Sequence, residues 1–263
     1  MEKKIKKCIV NGLTLSRIGA TILMPLMLSM LSSSVFLLVI GLILFTDFLD
    51  GLLARKWGVS TIFGSLLDMS ADKIFGISLL VVLSTMYPIM TIPLVLEILI
   101  GAINIKNAKN GGLGKSSEIG RIKTWVMGLS ACSILLTGLS NDLLKEINTL
   151  DISNSILLNL KDHITNFLKL INDNKETINN VGVTSSITSE TIVATDYMLK
   201  SKKISEKTRK IKLEELKKNK EFIKKIIFDE KYYNETKDMN LVDKLLPEEE
   251  KANKVKKLTL KNK

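Results

Sequence analysis

This sequence predicts an all-α fold, a polytopic membrane helix bundle followed by a polar, partly helical C-terminal region. Three observations predict it. From Leu13 to about Ser140 apolar runs dominate, whereas from about Asn141 onward the chain is rich in Lys, Glu, Asn, Ser and Thr. The 263 residues combine 46% hydrophobic and 25% charged side chains with a net charge of +11, an odd mixture for one uniform globular domain. Basic residues gather in alternate connections between the apolar runs, as in loops that stay on the cytoplasmic side of a membrane. Two regions are therefore expected, a membrane-embedded domain over 1–145 and a basic extension over 146–263 that is partly helical and partly disordered.

Five spans are evident, over Leu15–Leu31, Val35–Thr46, Ile74–Met90, Ile92–Ile105 and Thr124–Leu139. Several fall short of the ~20 residues that a lone transmembrane helix needs. The basic start, MEKKIKKCIV, leads into the first span without a small-residue cleavage site, so it reads as a first anchor, and Pro25 is expected to kink that span. The second should continue as helix through DFLDGLLARKW, which holds good helix formers and no proline. Tyr87 and Pro88 mark an aromatic, turn-like end to the third, and Trp57 and Trp125 sit beside basic residues as interface anchors. Lys3, Lys4, Lys6 and Lys7, then Arg55 and Lys56, then Lys106, Lys109, Lys115, Arg121 and Lys123 occupy the N-terminus and alternate connections, which places all of them in the cytoplasm.

Beyond the fifth span, LDISNSILLNLKDHITNFLKLI (150–171) is interrupted by Asp151, Lys161, Asp162, His163 and Lys169, which suits an amphipathic helix at the interface or packed on the core. NNVGVTSSITSET reads as a flexible connector. Residues 199–230 interleave Glu and Lys around apolar positions such as Ile204, Ile211, Phe222 and Ile226, a helical pattern whose basic character suits an anionic lipid surface. Aromatic residues are sparse there, so nucleic acid is not expected as a partner. The last residues, KANKVKKLTLKNK, are expected to be disordered. Only Cys8 and Cys132 are present and the sole histidine, His163, lies in the polar region. A disulfide framework, a cysteine metal site and histidine catalysis in the apolar half are thereby excluded.

The chemistry concentrates in TDFLDGLLARKWGVSTIFGSLLDMSADK, residues 46–73. Of the six acidic residues between Leu13 and Ser140, four fall here, as Asp47, Asp50, Asp68 and Asp72. A charge at bilayer depth costs roughly 2.5–3.5 kcal/mol even on lenient scales, so such residues are usually functional or paired. Helical spacing puts Asp47 and Asp50 on one face and Asp68 and Asp72 on another. Gly51, Ala54 and Gly64 are interleaved at side-chain-poor positions, leaving room for a ligand beside the carboxylates. Nearby cations in sequence are only Arg55, Lys56 and Lys73, so four converging carboxylates would repel or become protonated unless divalent cations bind. All-oxygen ligation suits Mg²⁺ or Mn²⁺, and Mg²⁺ is often completed by substrate phosphates, which makes a phosphate-bearing substrate the natural partner. Glu97, in an apolar span, is expected to pair with a core cation such as Lys73 or Lys123.

These residues read Asp47-x-x-Asp50-Gly51-x-x-Ala54-Arg55, eight residues, Gly64-x-x-x-Asp68-x-x-x-Asp72, which resembles the signature of the CDP-alcohol phosphatidyltransferases at every fixed position. The resemblance extends to NGLTLSRI near the start, to ADK at 71–73 and to GRIKTW at 120–125, which are similar to bacterial phosphatidylglycerophosphate synthases. It implies a six-helix membrane core in a bacterial-type cytoplasmic membrane, with the active site facing the cytoplasm. Two Mg²⁺ or Mn²⁺ ions are implied, with Asp47, Asp50, Asp68 and Asp72 as the metal residues and Asp72 also as general base. The CDP moiety of CDP-diacylglycerol is expected on Asp47, Asp50, Gly51, Ala54, Arg55 and Gly64, and its acyl chains in membrane lipid. The second substrate is a small phosphorylated alcohol, foremost sn-glycerol 3-phosphate, whose phosphate Lys115, Arg121 and Lys123 are positioned to meet. Arg17 would either meet the acceptor or snorkel to headgroups. A homodimer is expected, as in many members.

Other readings share the residues. Leu96 and Asn104 stand where phosphatidylglycerophosphate synthases place arginines, which leaves room for inositol phosphate, serine or a lipid alcohol as acceptor. A catalytically inactive membrane scaffold is the non-enzymatic alternative. Intramembrane prenyltransferases also bind pyrophosphate through metal-bound aspartates, but their motifs are spaced differently and no second Asp-rich pair exists here.

Overall fold

A computed structural model of the chain describes residues 2–109, 118–151, 154–202 and 220–236. Among these, the elements are helices α1 (Glu2–Met30), α2 (Ser33–Lys56), α3 (Ile62–Met86), a 3₁₀ turn (Pro88–Met90), α4 (Thr91–Lys109), α5 (Glu118–Thr149), α6 (Ser155–Asp173), α7 (Lys175–Lys202), α8 (Lys220–Ile226) and α9 (Glu230–Glu235). No strand occurs among the described residues. The fold is the expected all-α polytopic membrane bundle.

Four helical segments, Glu2–Met30, Ser33–Lys56, Pro88–Lys106 and Ile119–Thr149, are long and apolar enough to cross a membrane. The segment expected to form the third span is helical but is not among them. Asp68, Asp72 and Lys73 occupy the first half of α3, and the uncharged stretch after them, Ile74–Met86, is too short to span alone. α3 is in contact with α1, α4 and α5. Its Ala71, Leu79, Leu80, Val82 and Leu83 are buried.

α1 runs as one helix through Pro25. α2 continues to Lys56, past both of its aspartates, as its helix-forming residues predict. It stops at a Schellman-type turn in which Val59 N donates to Ala54 O at 3.0 Å and Gly58 N to Arg55 O at 3.2 Å. Gly58 takes the left-handed conformation this turn requires, at φ 61°. Thr61 then caps α3 by accepting from Gly64 N at 3.0 Å. At the opposite end of the bundle the Glu146 carboxylate accepts from Ser33 N at 2.8 Å and Ser34 N at 3.1 Å, so α5 caps the start of α2.

The core lies around Met24, Phe36, Leu80, Leu83, Ile134, Leu135 and Leu139. It is completed by a part of the chain that reads as polar. NNVGVTSSITSET, expected to be a flexible connector, is the middle of α7, and α7 packs on α4 and α5. The reason is close approach of two small-residue faces. A Cβ added at Gly182 would lie 2.9 Å from Ile134 Cγ1. The Ser130 and Ser185 hydroxyls are 2.7 Å apart, and Thr137 Oγ1 donates to Asn179 Oδ1 at 2.5 Å. Small residues and interhelical side-chain hydrogen bonds are what join helices in lipid, where large apolar side chains have no advantage over acyl tails. The sixth element, 150–171, is the amphipathic helix α6, packed on α5 through Leu168 and Ile171 while Ile156, Leu160, Phe167 and Leu170 are exposed. The lysine-rich stretch of 199–230 falls mostly, and the terminal KANKVKKLTLKNK wholly, outside the described residues.

Candidate functional site

The site forms where the starts of α1 and α3 meet the end of α2. One carboxylate oxygen from each of Asp47, Asp50 and Asp68 lies within 4.8 Å of the others. Asp50 is buried and accepts from Thr14 Oγ1 at 2.7 Å. The side chain that organises the group is Arg17, 4% exposed. Its Nη1 ion-pairs with Asp47, its Nη2 donates to Asp68 Oδ1 at 2.8 Å, and Nη1 lies 3.5 Å from Asp72 Oδ1. The guanidinium thus faces inward to the carboxylates rather than out to headgroups. Asp72, one turn after Asp68, is outside the trio and shares Arg17 with Asp47 and Asp68.

Beside the trio opens a cleft of about 300 Å³ lined by Asn11, Thr14, Asp50, Gly51, Ala54, Arg55, Ser60, Ser65, Gly64, Asp68 and Tyr233, among others. Gly51, Ala54, Arg55 and Gly64, which the family resemblance names for the CDP moiety, all line this cleft. Arg55 folds back along its own helix, with Nε donating to Gly51 O at 3.0 Å. At Gly64 a side chain would press on Thr61 Oγ1 at 3.4 Å and Asn11 Oδ1 at 3.5 Å.

The basic residues named for the acceptor divide. Lys123 is 6% exposed and sits between Glu97, to which it is hydrogen-bonded, and Glu190, with Nζ 3.0 Å from Glu190 Oε1. Lys73 Nζ donates to the other oxygen of Glu97 at 2.5 Å, so the expected pairing of Glu97 with a core cation involves both lysines. Arg121 lies exposed in the first turn of α5, and Lys115 lies outside the described residues. Leu96 and Asn104 are half-buried on α4, where neither side chain can replace an arginine's charge.

Three participants were not assigned from the sequence: Thr14 on Asp50, Glu190 on Lys123, and Tyr233 in the cleft. A signal existed for the first. Asn11, Thr14 and Arg17 recur at three-residue intervals where α1 turns from its basic start to its apolar stretch, a polar stripe that has to face something polar. Glu190 and Tyr233 carried no local signal, since α7 and α9 reach the site only through tertiary packing.

A model of the CDP-alcohol phosphatidyltransferase family matches residues 7–158. The chain belongs to this family. One curated protein it resembles is the CDP-diacylglycerol--glycerol-3-phosphate 3-phosphatidyltransferase of Bacillus subtilis (strain 168), at 29% identity over 102 residues, which cover 37% of this chain and 53% of the relative. The chain thus spans about half the length of that curated relative. No solved structure gives a significant match. With four helices able to cross a membrane and a family of membrane enzymes, this family member is an integral membrane protein.

Proposed function

We propose that this chain transfers a phosphatidyl group from CDP-diacylglycerol to an alcohol and releases CMP, with sn-glycerol 3-phosphate as the acceptor. The observation that carries the reading is the convergence of Asp47, Asp50 and Asp68 beside a cleft that Asp50, Asp68, Gly51, Ala54 and Gly64 line. The acceptor choice is supported by the resemblance to the Bacillus subtilis protein.

The donor set fits hard divalent cations: three carboxylates offer oxygens within 4.8 Å, and the place between them attracts positive charge strongly enough to hold a buried arginine. Asp47, Asp50 and Asp68 would hold Mg²⁺ or Mn²⁺, with Asp72 near enough to contribute. When bound, such ions neutralise the pyrophosphate and the charge that develops on the attacking and leaving oxygens. The remaining work falls to the chain's own groups. Gly51, Ala54 and Gly64 leave space for the nucleotide, and Thr14 holds Asp50 in place. Arg17 keeps Asp47, Asp68 and Asp72 within a few ångströms of one another before substrate arrives. Asp72 is the most exposed of the four carboxylates and takes the proton of the acceptor hydroxyl. The hydroxyl oxygen then bonds to the phosphorus that carries diacylglycerol, and the bond from that phosphorus to the oxygen of CMP breaks. Acyl chains of the donor remain in lipid. The basic residues Lys3, Lys4, Lys6, Lys7, Arg55, Lys56 and Arg121 support a cytoplasmic orientation for this end of the bundle.

The test is CMP release from CDP-diacylglycerol by the purified protein with Mg²⁺ or Mn²⁺, across a panel of acceptors. Asp72→Asn should lower turnover by about 10²-fold or more while CDP binding persists. Wild-type turnover in that variant would remove Asp72 from its role, and no CMP release with any acceptor would favour the scaffold.

A further inference from the structure

The C-terminal helices α8 and α9 belong to the part of the chain beyond the family match, yet they are anchored at the site. Phe63 N, in the first turn of α3, donates to Ile227 O at 3.0 Å. The Phe63 and Phe228 rings meet at 5.0 Å between centroids. Lys7, on α1, donates to Phe228 O at 2.9 Å and pairs with Glu230 at 2.8 Å, and Lys3 reaches Glu230 at 3.3 Å. Ile226, the last residue of α8, and Thr236, which follows α9, are both buried. Asp229 caps α9 by accepting from Lys231 N at 2.9 Å and Tyr232 N at 3.2 Å, which fixes the first turn of the helix that carries Tyr233.

That anchoring puts Tyr233, half-buried, into the lining of the same cleft that Gly51, Ala54 and Gly64 line. It is the aromatic side chain among the cleft's lining residues. The cleft is also lined by Asn11, Ser60 and Ser65, which carry both donors and acceptors. A cleft that combines one aromatic ring, small residues that leave room and mixed hydrogen-bonding groups has the chemistry that receives a planar heterocyclic base.

We propose that α8 and α9 form the outer wall of the nucleotide cleft and that the Tyr233 ring stacks on the cytosine base of the donor. This rests on the phosphatidyl-transfer reading, from which the identity of the nucleotide comes. Tyr233 is then a binding residue supplied by the extension, and the extension sets donor affinity from outside the family's catalytic core.

The experiment measures calorimetric binding of CDP, in Mg²⁺, to full-length detergent-solubilised wild type, Tyr233→Ala, Tyr233→Phe and Glu230→Ala. Base stacking on an aromatic ring predicts that Tyr233→Ala weakens CDP about fivefold or more, and that Tyr233→Phe binds within about twofold of wild type. Glu230→Ala, which frees the anchor without touching the cleft, should weaken CDP in the same direction, so it decides the matter if Tyr233→Ala fails to fold. In turnover, the donor KM should rise in Tyr233→Ala while kcat and the acceptor KM hold. Equal CDP affinity in wild type and Tyr233→Ala, or a Tyr233→Phe as weak as the alanine variant, overturns the proposal, as does wild type that binds no CDP. Wild type that binds CDP but releases no CMP would fail the activity reading alone, with the stacking role still judged by the affinities.

Discussion

Replacing Lys123 with Met separates a structural role from a substrate role at one buried position. Lys123 is enclosed between Glu97 and Glu190, which are 3% and 0% exposed. Glu97 keeps Lys73 when Lys123 is removed, because Lys73 donates to its other oxygen at 2.5 Å. Glu190 loses its cation: among the described residues, Lys123 is the one within ion-pair distance of it. Stranding one buried carboxylate in this way costs about 3–5 kcal/mol, enough to shift a folding equilibrium by about two to four powers of ten. Adding Glu190→Gln removes the stranded charge, so the double variant should recover most of that loss, and the double-mutant cycle should show strong coupling. Thermal unfolding in detergent micelles, run alongside the acceptor KM, reads both quantities. The expected result is a large fall in stability for Lys123→Met, recovery in Lys123→Met/Glu190→Gln, and an acceptor KM close to wild type in the recovered protein. A Lys123→Met protein of unchanged stability whose acceptor KM has risen sharply would refute this account and return Lys123 to the acceptor phosphate.

Arg17→Gln should make stability depend on divalent metal more steeply than in wild type. It leaves Asp47, Asp68 and Asp72 without their cation, at an expected loss of about 1–3 kcal/mol, kept below the fully buried figure because these side chains are 43%, 50% and 62% exposed. Melting curves in EDTA and in Mg²⁺ check it, since a bound ion stabilises by mass action, and identical metal responses in the two proteins would count against it. The anchor of α9 should loosen in acid. Hydrogen bonding and charge from Lys7, then Lys3, hold the Glu230 carboxyl below the usual glutamate range, so its contribution is present above that range and is lost as pH falls through it. Because the pair is partly solvated the effect is small, under about 1 kcal/mol, and amide exchange of 220–236 between pH 7 and pH 4 should show it as a local rise. Gly182→Val should separate α7 from α5, since even a Cβ there would stand 2.9 Å from Ile134 Cγ1. A loss of about 1–3 kcal/mol is expected in the same melting assay, and a stable Gly182→Val would mean that α7 is not packed there.

Much of this protein follows from local chemistry. Spaced apolar runs and basic connections suffice for a helical membrane bundle, because hydrocarbon leaves the backbone few alternatives to the helix. The aspartate site was legible for a similar reason. Asp47, Asp50, Asp68 and Asp72 repeat at intervals of three and four, and helical periodicity alone orients each pair. Once a Gly58 turn closes the gap between α2 and α3, those faces meet across Arg17.

What tertiary structure decided is everything carried by small or distant residues. α7 bears Gly182, Ser185, Ser186 and Glu190 where a soluble core would show Leu and Ile, so its composition imitates a linker. It becomes a packed helix only because α4 and α5 offer a matching small-residue face and a buried lysine. The partners of Lys123 and the arrival of Tyr233 at the cleft depend on contacts between residues far apart in the chain, about which local spacing carries no information. A periodic pattern reports which face of a helix is polar, and only packing determines which side chain that face will meet.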